Sequence, residues 1–233
     1  MRFIFLYLIF FAYLVNDFSC IYADNISVCT MAIGEDYQRI TYATTENKIR
    51  YCEKHNHRFI YLMHSMDTSR PIPWSKILLI KRTMMSKKVD WVFWTDADSL
   101  IMNDNIKLED LIDNRYDMIV ASDHSGINTG QFFIRNCRWS RGFLKRVYAM
   151  TQHINHGWWE QKAIMDLYEM NESDRKHIKI LDQRVMNSYA PEIYPENQAY
   201  HEGDFIIHFA GVRGQTLIDL IVKYNEISLR EQL

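Results

Sequence analysis

The sequence predicts a single α/β domain in which helices flank a mixed, mostly parallel β-sheet. Short apolar segments that suit buried strands alternate along the chain with longer segments of helical periodicity, which is typical of parallel sheets with helical crossovers. The 233 residues are enough for one such domain with a substantial core, and no Gly-, Pro- or Ser-rich linker divides them. Hydrophobic residues make up 48% of the chain and aromatic residues 14%, as expected for a folded globular protein.

The first third of the chain contains two predicted strands separated by a helix. Residues 26–32 are mostly apolar and β-branched, and Gly34 closes this run. Residues 41–55 place apolar side chains at helical spacing, and residues 58–63 form the second strand. This order predicts the first strand–helix–strand unit of the sheet.

The next helix and strand follow a proline-containing loop. Pro73 suits the first turn of a helix over residues 74–86, and residues 89–95 then form a strongly apolar strand. The same criteria predict the later elements. These are a helix at 108–112, a strand at 117–121, a turn at 128–130, a strand at 131–135, helices at 139–150 and 158–168, and strands at 178–181 and 205–209.

Residues 1–23 differ from the rest of the chain. Arg2 precedes an unbroken apolar run over residues 3–15, which is short for a membrane span and of the right length for a secretory signal. We therefore predict a signal peptide or a short signal anchor at 1–23, with the folded domain at 24–233. Membrane contact is expected only through this segment. Glycosylation sequons at Asn25-Ile26-Ser27 and Asn171-Glu172-Ser173 agree with entry into the secretory pathway.

Charge and cysteine content exclude some classes of protein. The formal net charge of -2 gives no electrostatic argument for binding nucleic acid, so no such partner is expected. The four cysteines have no metal-ligand spacing and imply no disulfide framework, although the sequence allows one disulfide bond. They are Cys20, Cys29, Cys52 and Cys137.

An acidic pair at the end of the strand at 89–95 is the clearest candidate site. Asp96 and Asp98 follow a strand whose two faces are both apolar, and ligands of open α/β sheets bind at the carboxyl ends of strands. In an extended chain the two carboxylates lie on the same side and could reach one ion. Oxygen donors of this kind suit Mn²⁺ or Mg²⁺, which in turn can hold a diphosphate. The alternative is an ordinary polar turn, where Asp is common.

Other candidates lie on separate segments. His208 ends a late apolar strand, and Arg213 lies between Gly211 and Gly214 in a loop that could grip a phosphate. His208 is of interest only if its strand adjoins the acidic pair, and a hydrogen-bonded core histidine is the alternative. Trp158 and Trp159 precede Glu160 and Gln161. An exposed pair of indoles would suit sugar stacking, whereas a buried pair would be core.

Taken in order, these segments resemble glycosyltransferase family 34, which contains fungal α-galactosyl- and mannosyltransferases and plant xyloglucan xylosyltransferases. The resemblance extends from Ile26 to about Arg213. The matching segments are Asn47-Lys48-Ile49-Arg50-Tyr51-Cys52, Trp74-Ser75-Lys76-Ile77, Trp94-Thr95-Asp96-Ala97-Asp98, Asn128-Thr129-Gly130-Gln131-Phe132, Ile134-Arg135-Asn136-Cys137-Arg138-Trp139-Ser140, Glu160-Gln161 and Gly203-Asp204-Phe205-Ile206-Ile207-His208-Phe209-Ala210-Gly211.

The resemblance implies a GT-A fold, a Rossmann-like domain that binds a UDP- or GDP-sugar with Mn²⁺ as cofactor and Mg²⁺ as the alternative. It implies a retaining transfer of a hexose or pentose to a glycan or glycoprotein hydroxyl, in the Golgi membrane or lumen, or outside the cell if the leader is cleaved. The implied metal ligands are Asp96, Asp98 and His208. The implied donor-binding residues are Gly34, Lys76, Asn128, Gly130 and Arg213, and the implied catalytic residues are Asp96, Asp98, Glu160 and Gln161.

Two departures from the family pattern stand out. Val212 replaces the Cys that usually follows the His-Phe-x-Gly segment, and the loop before Glu160 is short, which points to a changed acceptor site. Two alternatives remain open at this stage. A haloacid-dehalogenase-type phosphatase would use Asp96 as its nucleophile, and an inactive relative would bind a nucleotide sugar without turnover.

Overall fold

The computed structural model describes residues 25–231, so the leader expected at 1–23 lies outside the described residues. The strands are β1 (Ile26–Met31), β2 (Arg58–Leu62), β3 (Trp91–Thr95), β4 (Ser99–Ile101), β5 (Met118–Asp123), β6 (Gly126–Arg135), β7 (Ile178–Leu181), β8 (Ser188–Tyr189) and β9 (Ile206–His208). The helices are α1 (Glu35–Lys54), α2 (Ser75–Thr83), α3 (Leu108–Leu111), α4 (Arg138–Ala149), α5 (Trp159–Met170), α6 (Glu172–Arg175) and α7 (Gly214–Glu231). Single 3-10 turns lie at Ile72–Trp74, Thr151–His153 and Gln183–Val185.

The larger sheet has six strands in the order β2-β1-β3-β6-β5-β7. The pairs β1–β2, β1–β3 and β5–β7 are parallel, whereas β6 runs antiparallel to both of its neighbours, β3 and β5. The predicted fold class, a mixed and mostly parallel sheet flanked by helices, is therefore confirmed.

A smaller sheet of three strands, in the order β4-β9-β8, lies beside the carboxyl end of β3. Strand β4 pairs antiparallel with β9, and β8 pairs parallel with β9. Only Asp96, Ala97 and Asp98 separate β3 from β4, so the chain passes from one sheet to the other through the acidic pair. Because β4 has a strand on one side only, it is an edge strand of the smaller sheet.

Strand β3 lies at the centre of the core. Its side chains alternate between the two faces of the larger sheet, as the period of two requires. Trp91 and Phe93 pack on the face covered by α1, and Val92 and Trp94 pack on the face covered by α2. All four side chains are fully buried, so the two apolar faces expected from the sequence are present.

A third apolar cluster joins the C-terminal helix to the smaller sheet. Leu217 and Ile221 of α7 pack with Ile40 of α1 and with Leu100 and Ile207 of β4 and β9. This cluster holds α1 and α7 against the smaller sheet, and so supports the strands that continue from the acidic pair.

The structure corrects several boundaries expected from the sequence. Helix α1 begins at Glu35 rather than residue 41, because Ile40 is buried against α7, a helix that was not predicted. The turn expected at 128–130 is wrong, since these residues belong to β6. The register of β6 against β5 shifts there: Val120 pairs with Phe132, and Ala121 pairs with Asn128. Strands β4 and β8 were also missed.

Two further properties concern the described part of the chain. None of its helices combines the length and the apolar character that crossing a bilayer would require. Cys29, Cys52 and Cys137 are free thiols, and the first two are buried in the core.

Candidate active site

The acidic pair lies in the short turn that connects β3 to β4. The backbone N–H of Asp96 donates to the carbonyl of Gly130 over 2.8 Å, and the Ser99 hydroxyl donates to the carbonyl of Asp96 over 2.7 Å. The sequence analysis expected an extended chain here, and the observed turn corrects that expectation. The turn still directs both carboxylates to one point, because β4 continues directly into the pair with β9.

Three side chains converge at this turn. In the β4–β9 ladder Ser99 lies opposite His208, which brings the imidazole next to Asp98. The His208 Nε2 atom is 3.4 Å from Asp98 Oδ1 and 3.9 Å from Asp96 Oδ2. The three candidate ligand atoms lie within 4.8 Å of one another. Asp98 and His208 are buried, whereas the Asp96 side chain is 28% exposed.

The neighbours of His208 determine which ring nitrogen faces the carboxylates. Its Nδ1 is 2.8 Å from the amide oxygen of Asn187. Because that oxygen can only accept, Nδ1 carries a proton, and Nε2 is the nitrogen that faces the carboxylates. Gly130 lies against the same ring, and a Cβ built on it would be 2.3 Å from the His208 Cε1 atom. Only glycine therefore fits beside the imidazole.

These residues fit a divalent metal ion. Two carboxylates and one neutral imidazole form a mixed oxygen and nitrogen set that Mn²⁺ accepts readily. Burial opposes ionisation of Asp98, but the hydrogen bond and charge of His208, with the charge of Arg213, keep the pKa of Asp98 below its usual value. The carboxyl is thus ionised, as a metal ligand must be.

A buried lysine connects the acidic pair to the start of α5. The Lys76 Nζ atom is 2.8 Å from Glu160 Oε1 and 3.2 Å from Asp96 Oδ1, and it donates to the Thr129 carbonyl over 3.0 Å. Burial disfavours the charged amine, but the charges of Asp96 and Glu160 outweigh this effect and raise the pKa of Lys76. Glu160 is only 3% exposed and is paired through this contact.

The segment after Glu160 contacts β6. The Gln161 side-chain oxygen accepts the backbone N–H of Thr129 over 3.0 Å. On the same strand, the Asn128 side-chain oxygen accepts the N–H of Gly130 over 2.9 Å. Lys76, Asn128, Gly130 and Gln161 are thus brought together around β6, although the segments that carry them are far apart in sequence.

Asp123 and Tyr189 also belong to this group, although neither was selected from the sequence. The Asn128 amide nitrogen donates to Asp123 Oδ2 over 2.7 Å and to the Tyr189 hydroxyl over 2.8 Å. The Tyr189 hydroxyl itself donates to Asp123 over 2.6 Å. Asp123 ends β5, so the reasoning that selected the acids after β3 could have found it. Tyr189 lies on a strand of two residues, which has no readable signal.

Apart from Ser99 and Asn187, which lie behind them, these groups line a cleft of about 440 Å³. Besides the residues already described, its lining includes Met31, Ile33, Tyr37, Ile72, Pro73, Ala97, His124, Ser125, Gly157, Trp158, Trp159, Tyr194, Ala210, Gly211 and Arg213. Gly34 is not part of the lining. It is exposed and precedes α1 with a φ of 97°, a conformation that favours glycine.

Arg213 and the two tryptophans lie in less enclosed parts of the cleft. Arg213 is exposed and its Nη1 donates to the Tyr37 hydroxyl over 2.6 Å. Trp158 is 44% exposed, whereas Trp159 is partly buried and packs on the core with a φ of 40°. Left-handed backbone is rare for such a bulky residue. Trp158 is therefore exposed enough to stack on a sugar, whereas Trp159 belongs to the core.

Asn47 and Lys48 of α1 had no role assigned from the sequence. The Asn47 side chain bonds both the N–H and the carbonyl of Ile101, each over 2.8 Å. The Lys48 Nζ atom donates to the carbonyl of Ser99 over 2.6 Å and is fully buried. Burial lowers the pKa of Lys48 to about 7, although the charges of Asp98 and Asp96 oppose this shift.

Comparison with known proteins identifies a family of sugar transferases. The model of the galactosyl transferase GMA12/MNN10 family matches residues 22–115 and 112–216. An uncharacterised α-1,2-galactosyltransferase of Schizosaccharomyces pombe is 27% identical over 232 residues, which is 80% of this chain and 60% of that protein. The galactomannan galactosyltransferase 1 of Cyamopsis tetragonoloba is 35% identical over 112 residues, 42% of this chain and 25% of that protein. This chain therefore spans no more than about three fifths of either relative.

Solved structures agree on the fold. A glycosyltransferase involved in the glycosylation of the major capsid of PBCV-1 superposes with a TM-score of 0.64 at 16% identity, over 88% of this chain and 98% of that one. The galactosyltransferase LgtC, solved with donor and acceptor sugar analogues, gives a TM-score of 0.60 at 11% identity, over 88% and 95% of the two chains. At these identities the similarity concerns the fold alone, which is the GT-A fold of glycosyltransferases.

Proposed function

Because this chain belongs to the galactosyl transferase GMA12/MNN10 family, glycosyltransferase family 34, we propose that it is a metal-dependent enzyme that transfers a sugar from a nucleotide-sugar donor to a glycan hydroxyl. The observation that carries the proposal is the convergence of Asp96, Asp98 and His208 at the wall of a cleft large enough for such a donor. The ion is Mn²⁺ in this proposal, with Mg²⁺ as the alternative.

The diphosphate of a UDP- or GDP-linked hexose or pentose is proposed to lie against the acidic turn. Asp98 and His208 would hold the ion from the buried side, and the partly exposed Asp96 would hold it from the cleft side. The chemistry that this ion supplies is neutralisation of the charge that builds on the leaving diphosphate. Arg213 is exposed in the same cleft, where its guanidinium could bind a phosphate through paired hydrogen bonds.

The sugar of the donor is proposed to contact the surface formed by β6 and the start of α5. Asn128 and Gln161 present polar side chains there, and Gly130 lets the backbone approach closely. Glu160 is held by Lys76 and buried, so we assign it an electrostatic role beside Asp96 and no role as a covalent nucleophile. Transfer with retention would then proceed on the front face of the sugar, with fixed charges and positioning as the main sources of rate.

The acceptor is proposed to be a glycan or glycoprotein in the secretory pathway, most simply in the Golgi. This proposal is supported by the apolar run at 3–15, by the two sequons and by the family. Membrane contact is proposed only through the N-terminal segment, and no nucleic-acid partner is proposed. Gly34 remains a proposed neighbour of the nucleoside, although it does not line the cleft.

The family match also favours a sugar transferase over the haloacid-dehalogenase-type phosphatase considered earlier. A phosphatase with Asp96 as its nucleophile would give no role to the Asn128-Thr129-Gly130 segment or to His208, whereas both segments face the proposed donor. An inactive relative that only binds nucleotide sugar is an outcome of the experiment below.

The test is a panel of UDP- and GDP-sugars incubated with the purified full chain and Mn²⁺, scored for hydrolysis and for transfer to glycan acceptors. We expect Asp98→Ala to abolish metal binding and turnover. Asp110→Ala, which removes an exposed carboxylate of α3, serves as the matched control and should behave as wild type. Metal-dependent turnover that persists in Asp98→Ala contradicts the metal assignment. Binding of a nucleotide sugar by the wild type without any turnover identifies an inactive relative.

A further inference from the structure

Lys48 is a fully buried lysine that the proposed mechanism does not use. It lies on α1, and its Nζ donates to the carbonyl of Ser99 over 2.6 Å and to that of Thr44 over 3.5 Å. No carboxylate among the described residues lies within 4.0 Å of it. A lysine is rarely fully buried unless it is paired with an acidic group. Such a residue calls for a specific role.

The topology of the smaller sheet explains where Lys48 acts. Strand β4 is an edge strand, and the N–H of Phe209, the residue after β9, donates to the Asp98 carbonyl over 2.9 Å. Because hydrogen-bonding groups alternate between the two edges of a strand, the Ser99 carbonyl faces the open edge. Lys48 occupies that position and bonds this carbonyl.

Asn47 acts at the next outward-facing position of the same edge. Its side chain bonds both backbone groups of Ile101, as a neighbouring strand would do. Two adjacent side chains of α1 therefore take the place of the strand that β4 lacks. The backbone on either side of the Asp98–Ser99 peptide is thus held from both edges, by β9 and by α1.

We propose that Lys48 is a positioning residue for the metal site, which fixes Asp98 relative to His208 by holding the Ser99 carbonyl on the open edge of β4. Asp98 directly precedes Ser99, and His208 lies opposite Ser99 in the ladder. A shift of β4 along or away from α1 would therefore move the carboxylate and the imidazole relative to each other. Metal affinity is sensitive to such second-layer contacts, typically by 10- to 100-fold.

This inference rests on the proposed function, since it concerns the same metal site. The test is calorimetric Mn²⁺ binding to the full chain, well below its melting temperature, for wild type, Lys48→Met and the control Lys54→Met. Lys54 lies on the same helix, bonds Asp104 and is largely solvent-facing, so its loss should not affect Mn²⁺ affinity. We expect Lys48→Met to weaken Mn²⁺ binding at least about tenfold. Lys48→Arg, which keeps a cationic donor, should recover part of the loss.

The sign of the effect distinguishes positioning from simple charge. Removing a positive charge near the site would by itself tighten Mn²⁺ binding. An unchanged or tighter Kd in folded Lys48→Met therefore overturns the inference, and so does a lower melting temperature with unchanged Kd. If Lys48→Met does not fold, Lys48→Gln is measured by the same criterion. Absence of Mn²⁺ binding in the wild type would overturn the metal assignment as well, whereas wild-type binding that equals the variant's overturns this inference alone.

Discussion

Replacement of Gly130 by alanine should disable the metal site although none of the metal ligands is itself substituted. The added Cβ would lie 2.3 Å from the His208 Cε1 atom and 2.8 Å from Nδ1. The ring must therefore retreat by roughly 1 Å to reach the 3.4 Å at which ordinary contact begins. Metal ligands tolerate displacements of only about 0.5 Å. We expect Mn²⁺ affinity and turnover to fall at least tenfold, and stability to fall by about 1–3 kcal/mol through overpacking.

The matched control is Gly142→Ala. Gly142 lies in α4, and a Cβ there meets nothing within 4 Å. The change should raise stability by about 0.5–1 kcal/mol, because alanine is the better helix former, and should leave Mn²⁺ binding unaltered. Both variants are compared with wild type by Mn²⁺ calorimetry, urea unfolding and donor hydrolysis.

One result would refute the reasoning about Gly130. If Gly130→Ala bound Mn²⁺ with wild-type affinity and hydrolysed the donor at the wild-type rate, the imidazole would not be a ligand held by close contact with this glycine. A loss of stability alone, with normal affinity in the folded protein, would lead to the same conclusion.

Three further predictions concern other parts of the molecule. Trp158→Ala should raise the KM for a glycan acceptor about tenfold and leave donor hydrolysis unchanged; equal losses in both assays would contradict a role in acceptor stacking. Arg213→Ala should raise the donor KM by about 10- to 100-fold with unchanged Mn²⁺ affinity; an unchanged donor KM would exclude a phosphate contact. Asp204→Asn should destabilise the fold by about 1–3 kcal/mol at pH 7, measured by urea unfolding. Burial opposes ionisation of Asp204, but hydrogen bonds from Arg184 and Ser188 hold its pKa below the usual value. This contribution is complete above about pH 4 and is lost as the pH falls through the lowered pKa, so the two proteins should converge in acid.

The elements that sequence reasoning found are those with strong local patterns. Strand β3 was found because five consecutive apolar or β-branched residues are buried on both faces, and the acids after it were found because strand ends are where sites occur. Strands β4 and β8 have three and two residues, too few to show any periodicity. Helix α7 was also missed, although its buried residues Leu217, Leu220, Ile221 and Tyr224 recur at helical spacing.

The assembly of the site could be predicted only in part. Strand ends and the family resemblance brought Asp96, Asp98 and His208 together as candidates, and the structure places their ligand atoms within 4.8 Å of one another. The contacts around them join residues that are far apart in sequence, such as Lys76 with Glu160 and His208 with Asn187. No local pattern encodes such pairs. The turn expected at 128–130 was wrong for the same reason, since Asn128 pairs with Ala121 of β5 and the Gly130 carbonyl accepts the N–H of Asp96.

The position of the acidic turn between two sheets has a thermodynamic consequence for the C-terminal segment. The carboxylates extend from the chain as it leaves the larger sheet, whereas the imidazole belongs to β9, which packs with α7. An ion bound to all three would oppose any opening that separates the segment from β9 to α7 from the rest of the domain. At a free ion concentration one hundred times its Kd, such an opening would cost about 2.7 kcal/mol more than in the metal-free protein. Amide protons of β9 and α7 would then exchange about a hundredfold more slowly, while those of β1 and β2 would be less affected.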